Sequence, residues 1–186
     1  MNIPAIVPQR LDGVFAITPL RFVDERGFFS ETYNRAALLA AGIACDFVQD
    51  NHSLSHQRGV IRGLHFQIPP FAQAKLIRVL RGAIYDVAVD LRRNSPTYAH
   101  NCAIVLSAEN GMQLFVPAGF AHGFCTLEPD TEVFYKVSAP HASEHERGLT
   151  WNDQSLNIAW PISPAEAILN DRDRRWPPLK DLAHYF

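Results

Sequence analysis

The 186-residue chain lacks the features that mark disulfide-bonded, zinc-clamped or membrane-spanning proteins. Its three cysteines, Cys45, Cys102 and Cys125, lie far apart without CxxC spacing, so neither a disulfide framework nor a zinc site is expected. No apolar run approaches the roughly 18 residues that a spanning helix needs. Residues 1–4 have neither a basic start nor an apolar core, so we expect no secretory signal. These absences predict a cytoplasmic protein with reduced thiols and no membrane contact.

Charge of either sign is also not in excess. Lys and Arg total 17 against 19 for Asp and Glu, which gives a formal net charge of −2. This balance argues against a nucleic-acid-binding surface and against an acidic disordered tail. Hydrophobic residues make up 47% of the chain, which is typical of a globular domain with a sizeable core. With no repeat in the sequence, we expect one domain over residues 1–186, in which about residues 151–186 form a proline-interrupted covering tail.

Alternation of apolar and polar residues dominates the chain and predicts strands, most clearly over residues 83–92. Asn110 and Gly111, which separate two of the predicted strands, are typical of a hairpin turn. No strand precedes an amphipathic helix of 10–15 residues, so we expect an antiparallel sandwich or closed barrel. The other predicted strands are residues 14–18, 28–32, 63–67, 76–80, 98–107, 112–116, 123–127 and 132–137.

Helical patterns are few. Residues 34–41 predict a short helix, with Asn34 placed to cap its start and Gly42 to end it. Residues 164–169 predict a second short helical piece within the tail.

Two segments resemble the paired motifs of the cupin superfamily. Residues 59–67 (GVIRGLHFQ) follow the pattern Gly-x5-His-x-His, with Gln67 in place of the second His. Residues 111–122 (GMQLFVPAGFAH) follow Gly-x5-Pro-x-Gly-x2-His. Because cupins are small jelly-roll barrels, the resemblance implies an all-β, cupin-type jelly roll with a few short peripheral helices.

The departures from the cupin pattern argue against a metal. Residues 68–72 supply no carboxylate, and Gln67 is a poor ligand for a transition metal. His65 and His122 are then two imidazoles where three or four ligands are usual. We therefore expect no metal, while a metal-dependent cupin and a non-catalytic sugar-binding cupin remain alternatives.

Because successive side chains of a strand point to opposite faces, His65 and Gln67 lie on one face of their strand and Leu64 and Phe66 on the other. If Leu64 and Phe66 pack on a neighbouring layer, His65 points into the barrel. A lone histidine there would most simply be a hydrogen-bonded core residue. Arg62 and Lys75 lie close in sequence, however, and a buried positive cluster is costly unless it binds an anion or a developing oxyanion.

Eight segments in order resemble one cupin family more closely, the dTDP-4-dehydrorhamnose 3,5-epimerases. Among them are RGLHFQ at residues 62–67, GFAHGF at 119–124, HERG at 145–148, DERGFFSE at 24–31 and NDRD at 170–173. The resemblance implies an isomerase that acts on a dTDP-4-keto-6-deoxyhexose without a cofactor. In such a reaction a base removes a proton beside the 4-keto group, and an acid returns one to the opposite face of the enolate.

The resemblance implies four catalytic residues. They are the base His65, its orienting carboxylate Asp173, the proton donor Tyr135 and the enolate-stabilising Lys75. Taken alone, Asp173 would be a solvated residue in a charged run, and Tyr135 a buried structural tyrosine.

The resemblance also implies ten contacts with a nucleotide sugar. In the family, Arg26, Phe29 and Glu31 come from the neighbouring subunit, so a homodimer is implied. Arg26 and Arg62 match diphosphate ligands, where the guanidinium fork suits phosphate oxygens. The full set is Arg26, Phe29, Glu31, Gln49, Asn51, Arg62, His122, His141, Glu146 and Arg172.

One departure leaves the substrate open. The family usually carries two tyrosines five and six residues after the Tyr135 position, and the second stacks on thymine. Pro140 and His141 occupy these places here, and an imidazole offers less stacking area than a phenol ring. An epimerase for a different nucleotide-linked 4-keto sugar, or one that inverts only C3 or only C5, therefore remains an alternative.

Overall fold

Two antiparallel sheets packed face to face form the framework of residues 4–186, the part of the chain that the computed structural model describes. Residues 1–3, on which the expectation about a secretory signal partly rests, lie outside it. The strands are β1 (Ala5–Pro8), β2 (Phe15–Thr18), β3 (Phe22–Asp24), β4 (Gly27–Phe29), β5 (Gln49–Ser55), β6 (Ile61–Gln67), β7 (Lys75–Arg81), β8 (Ala83–Asp90), β9 (Asn101–Ser107), β10 (Gln113–Val116), β11 (Phe120–Thr126), β12 (Thr131–Val137) and β13 (Glu146–Gly148).

The strands form a six-stranded sheet, a five-stranded sheet and a separate hairpin. The order is β1-β2-β10-β7-β12-β5 in the first sheet and β13-β6-β11-β8-β9 in the second, while β3 pairs only with β4. The predicted all-β, antiparallel architecture is confirmed. Short helical segments lie outside the sheets: α1 (Arg35–Ala40) and the 3₁₀ turns Ser143–His145, Asp173–Arg175 and Leu179–Asp181.

Helix α1 forms where the sequence predicts it. The side chain of Asn34 accepts a hydrogen bond from the Ala37 amide at the N-terminus. Gly42, with φ +85°, follows the C-terminus in the left-handed conformation that glycine tolerates. Among residues 4–186, no helix has the length and apolarity that crossing a membrane requires.

The core lies between the two sheets, and a second apolar layer covers the outer face of the five-stranded sheet. Ile77 and Leu114 meet Ile84 and Phe124 in the central core. Outside, Leu64 and Phe66 pack against residues of the tail, including Leu156, Tyr185 and Phe186. Because Leu64 and Phe66 face this outer layer, His65 faces inward, as alternation predicts. That residues 1–186 form a single domain stays a prediction.

Several predictions of local structure were wrong. The Asn110–Gly111 turn joins β9 to β10, but these strands lie in different sheets, so the turn is a corner between layers rather than a hairpin. Residues 164–169 are not helical, because Ile168 is extended and bridges Val60 beside β6. The strand predicted over residues 98–107 starts only at Asn101, since a turn held by the Asp90 carboxylate comes first.

The sequence pattern also missed β1, β3, β5 and β13. Strand β5 (QDNHSLS) has almost no apolar alternation because it carries polar residues on both faces. Strands β3 and β13 have three residues each, too few to show a period. The predicted strand over residues 28–32 ends at Phe29.

A bulge in β6 decides which side chains of that strand point inward. The register moves from His122 opposite His65 to Phe124 opposite Arg62, so three steps along β6 match two along β11. Arg62 and His65 therefore both lie opposite inward-facing residues of β11, whereas strict alternation puts Arg62 on the outer face. Gly63, with φ +140°, supplies the extra residue.

The bulge predicts a large loss of stability for Gly63→Ala. The added methyl would lie 2.6 Å from the Gly123 Cα, whereas in the control Gly27→Ala, with φ +127°, it meets nothing within 4 Å. Backbone strain at such positions costs about 1–3 kcal/mol, and we expect the overlap to cost roughly a further 2 kcal/mol or more. Urea denaturation of both variants measures the difference, and equal losses would show that the bulge relaxes freely.

Candidate active site

A cavity of about 340 Å³ is lined by side chains from both sheets. The five-stranded sheet contributes Arg62 and His65 from β6 and His122 from β11. The six-stranded sheet contributes Lys75 from β7 and Tyr135 from β12. A ring lying between the sheets would therefore have a histidine on one side and a tyrosine on the other.

His65 forms a buried pair with Asp173, which is 1% exposed. The His65 Nε2 lies 2.7 Å from Asp173 Oδ1, and the Gly63 amide donates to Oδ2 at 3.3 Å. Burial opposes ionisation of Asp173, but the hydrogen bond and charge of His65, together with the Gly63 amide, hold its pKa below the usual value. Because the carboxylate occupies Nε2, the nitrogen left to exchange a proton is Nδ1.

Lys75 is a buried cation on the opposite sheet, 9% exposed. Burial lowers the pKa of its ammonium group to about 8, while the carboxylates of Glu146 and Asp86 oppose this shift. The Lys75 Nζ donates to the backbone carbonyl of His65 at 3.3 Å. A positive charge thus lies beside the histidine, where it would stabilise negative charge that develops on a bound molecule.

Tyr135 presents its phenol to the same cavity. Burial raises the pKa of the phenol, Arg62 opposes this shift, and Glu146 adds to it. A neutral phenol near a base and a cation has the properties of a proton donor. Glu146 in turn forms an ion pair with Arg172, with Oε2 and Nη1 2.5 Å apart.

A smaller pocket of about 90 Å³ adjoins the cavity and is rich in amide side chains. Its lining includes Gln49, Asn51, Gln67, Gln73 and His141. The side chains of its three glutamines form hydrogen bonds with the backbone of residues 139–142. Gln49 accepts from the His141 amide, Gln73 donates to the Ala139 carbonyl, and Gln67 donates to the Pro140 carbonyl and accepts from the Ala142 amide.

Eleven of the fourteen residues predicted for the site line these two pockets. The exceptions are Arg26, Phe29 and Glu31, which lie at or just after the β3–β4 hairpin. Arg26 is paired with Asp24 and its side chain is 85% exposed. The residues brought together are His65, Lys75, Tyr135, Asp173, Arg62, His122, His141, Glu146 and Arg172 in the larger pocket, and Gln49 and Asn51 in the smaller.

The prediction of the site missed several lining residues. Ser53 on β5 and Asn170 in the tail line the larger cavity, and Gln73 lines the smaller pocket. Ser53 could have been found if β5 had been recognised as a strand, because Asn51 and Ser53 share a face. Asn170 had a local signal, since it lies three residues before Asp173, and its side chain accepts from the Asp173 amide.

Within residues 4–186, no three His, Cys, Asp or Glu side chains are grouped to hold a metal ion. The Nε2 atoms of His65 and His122 each contact a carboxylate oxygen, of Asp173 and Asp86 respectively. The arrangement has what proton transfer needs: an oriented imidazole, a phenol across the cavity and a buried cation in the same lining.

Comparisons with known proteins identify a family to which almost the whole chain is similar. A family model described as dTDP-4-dehydrorhamnose 3,5-epimerase matches residues 8–181. A curated relative of that name from Sinorhizobium fredii is 51% identical over 166 residues, which cover 89% of this chain and 85% of the relative.

Solved structures of similar chains have the same fold. A dTDP-4-dehydrorhamnose 3,5-epimerase from Bacillus anthracis, with TDP and PPi bound, is 49% identical with a TM-score of 0.92, covering 95% of this chain and 99% of that chain. A dTDP-6-deoxy-D-glucose-3,5-epimerase from Legionella pneumophila, in complex with dTDP-4-keto-L-rhamnose, is 38% identical with a TM-score of 0.92, covering 97% and 95%. The predicted cupin-type fold is thus confirmed.

The buried ammonium predicts that Lys75→Met stabilises the protein at neutral pH. The pKa of Lys75 is about 8 in the folded chain and about 10.4 in an unfolded one. Between these two pKa values the unfolded state therefore binds more protons than the folded state. The free energy of unfolding of the wild type rises as the pH rises through this interval. We expect Lys75→Met to raise the free energy of unfolding by about 1–3 kcal/mol at pH 7.

That advantage should shrink as the pH rises from 8 towards 10. Urea denaturation at several pH values measures it, and Lys180→Met, at an exposed lysine, serves as the control. A Lys75→Met variant less stable than the wild type at pH 7 would mean that the cation stabilises the fold.

Proposed function

The chain belongs to the dTDP-4-dehydrorhamnose 3,5-epimerase family, and we propose that it inverts C3 and C5 of a dTDP-linked 4-keto-6-deoxyhexose. The 4-keto group of such a sugar makes the hydrogens on C3 and C5 acidic, because the carbanion formed on either side is an enolate with its charge on the C4 oxygen. No redox step occurs. The three free cysteines support a reducing, cytoplasmic location.

His65 is the base in this proposal and Tyr135 the acid. The Nδ1 of His65 takes a proton from C3 or C5, and Asp173 at Nε2 stabilises the imidazolium that results. Lys75 stabilises the charge on the C4 oxygen, and Tyr135 returns a proton to the carbon. Inversion requires that the proton arrive on the face opposite to the one it left.

One observation carries the proposal: the base and the acid project from opposite sheets into one cavity, with the buried cation beside them. A sugar ring between the sheets would meet His65 on one face and Tyr135 on the other. An acid and a base on the same side could exchange a proton but would restore the original configuration.

The nucleotide occupies the polar side of the site in this proposal. Arg62 binds the diphosphate, and its guanidinium is held by the Ser55 hydroxyl and the Leu54 carbonyl. Thymine lies at the amide-rich pocket, against the ring of His141. The firmly held backbone of residues 139–142 supports this role, because a fixed ring loses little freedom when a base stacks on it.

A second copy of the chain completes the site. The β3–β4 hairpin pairs with neither main sheet, and Phe22, Val23, Phe28 and Phe29 on it are between 46% and 77% exposed. An isolated hairpin with this much exposed apolar surface is marginal in water. Dimerisation would cover these side chains and bring Arg26, Phe29 and Glu31 to the partner's cavity, which agrees with the roles that the family implies for them.

The decisive experiment is proton NMR of enzymatically prepared dTDP-4-keto-6-deoxyglucose incubated with the protein in D₂O. Deuterium entering both C3 and C5 supports the double epimerase. Entry at one carbon only would replace the proposal with a mono-epimerase. Absence of exchange with this substrate, at a protein concentration that binds it, would contradict the proposal.

Tyr135→Phe should separate proton removal from reprotonation. His65 still removes the proton in this variant, so deuterium should enter the substrate, but product with inverted configuration should form about 10²–10⁴-fold more slowly. His65→Asn is the matched control and should abolish exchange and inversion together while leaving dTDP binding intact. Equal loss of exchange and inversion in Tyr135→Phe would contradict its assignment as the acid.

Mixing two inactive variants tests whether Arg26 acts on the partner's site. His65→Asn and Arg26→Ala are each expected to be inactive alone. In a mixed dimer, the subunit with Arg26→Ala keeps its His65 and receives Arg26 from the other subunit, so one of the two sites is complete. Random exchange of equal amounts makes about half of the dimers mixed, so about a quarter of all sites should be active. If Arg26 served its own subunit, mixing would restore nothing.

A further inference from the structure

A second histidine–carboxylate pair lies beside His65. The His122 Nε2 is 2.8 Å from Asp86 Oδ1, and Asp86 is 0% exposed. His122 on β11 is the direct cross-strand partner of His65 on β6, so the two imidazoles are neighbours on the inner face of one sheet. Both bind their carboxylates through Nε2, which leaves Nδ1 as the nitrogen available to the cavity that they line.

The second oxygen of Asp86 is buried without a hydrogen-bond partner among the described residues. A buried carboxylate oxygen left unpaired is costly, and the fold offers no structural reason for it. Asp90, on the same strand and equally buried, shows the contrast, because Arg92, Ser95 and Thr97 satisfy both its oxygens. Asp90 therefore holds a turn together, whereas only one carboxylate oxygen of Asp86 has a partner among the described residues.

The charged group that benefits from Asp86 is Lys75. The carboxylate of Asp86 and that of Glu146 both favour the charged form of this buried ammonium, against the effect of burial. Glu146 has a cation of its own, since it is paired with Arg172. Asp86 is bound through Oδ1 by His122, which lines the same cavity as Lys75, and its unpaired Oδ2 leaves negative charge that can favour the ammonium.

We propose that Asp86 is a positioning residue, which orients His122 through Nε2 and keeps Lys75 charged at the place where the enolate oxygen forms. The assignment of that oxygen to Lys75 rests on the proposed function. Asp86 itself touches neither the substrate nor the reacting atoms in this proposal, and it acts through the two side chains beside it.

The other titratable groups around Asp86 do not take over its role. They are Cys102 on β9, His65 on β6, and Glu146 on β13 beyond Lys75. Burial, with a smaller contribution from Asp86, raises the pKa of the Cys102 thiol to about 11, so this thiol is neutral at physiological pH. His65 is committed to Asp173. Asp86 therefore acts on Lys75, whose charged form it favours, and on His122, whose ring it orients.

Asp86→Asn tests the proposal, since it removes the charge and keeps the shape. Because Lys75 loses its proton more easily, we expect the alkaline limb of kcat to move to lower pH by roughly one unit, which lowers kcat about twofold at pH 7 and about tenfold at pH 9. The affinity for dTDP should not change. Asp90→Asn, the control on the same strand, should lower the melting temperature without moving the alkaline limb.

A second measurement does not depend on activity. The chain has three lysines, Lys75, Lys136 and Lys180, so selective ¹³Cε labelling gives three NMR signals that can be assigned by substitution. The titration midpoint of Lys75 should fall by roughly one unit in Asp86→Asn. His122→Asn, which keeps the carboxylate, should not lower it, and this variant decides the matter if Asp86→Asn fails to fold.

An unchanged Lys75 midpoint in Asp86→Asn, or a fall in His122→Asn, would overturn the proposal. A wild-type pH profile in Asp86→Asn, alongside an active wild-type enzyme, would overturn it while leaving the proposed function intact. An inactive wild-type enzyme would instead contradict the proposed function, and the lysine titration would still decide whether Asp86 controls Lys75.

Discussion

The contact between the backbones of β6 and β11 is the constraint on which the cavity depends. A Cβ on Gly63 would lie 2.6 Å from the Gly123 Cα, and one on Gly123 would lie 2.8 Å from the Arg62 carbonyl oxygen. The contact accommodates an extra residue in β6, which turns both Arg62 and His65 inward. The same bulge directs the Gly63 amide to Asp173. One backbone feature therefore positions the arginine, the histidine and the carboxylate together.

The space between the sheets changes character along its length, and this change locates the site. Around Ile77 and Leu114 it is a closed apolar core. Towards β5 and β13 the inward side chains are polar or charged, and burying them disfavours the folded state unless each has a partner. Asp173 is fully partnered, whereas Lys75 keeps a depressed pKa and Asp86 an unpaired oxygen. The incompletely satisfied charges are those placed where a reacting group would complete them.

Sequence patterns predicted the parts of this protein that depend on local periodicity. Strands β7, β8 and β12 alternate clearly, and α1 carries its own cap in Asn34. Strand β5 was missed because polar residues occupy both of its faces, which removes the alternation. The Asn110–Gly111 turn was predicted wrongly because β10 pairs with β2 and β7, and no local pattern shows which strands will pair. At the site, the resemblance supplied the roles of residues that no local pattern singled out. Asp86 could not be paired with His122 from sequence, since the two are neighbours only through the alignment of separate strands.

Gln67 shows how the site of this fold is adapted at a single position. Metal-binding cupins carry a histidine there, whereas Gln67 donates to the carbonyls of Phe71 and Pro140 and accepts from the Ala142 amide. A histidine has only two ring nitrogens and could not make these three contacts. The residue that removes a metal ligand thus also supports the segment that carries His141. An imidazole gives less stacking area than the family's tyrosine, so if a base stacks on His141 as proposed, its binding would depend more on how firmly the backbone beneath the ring is held.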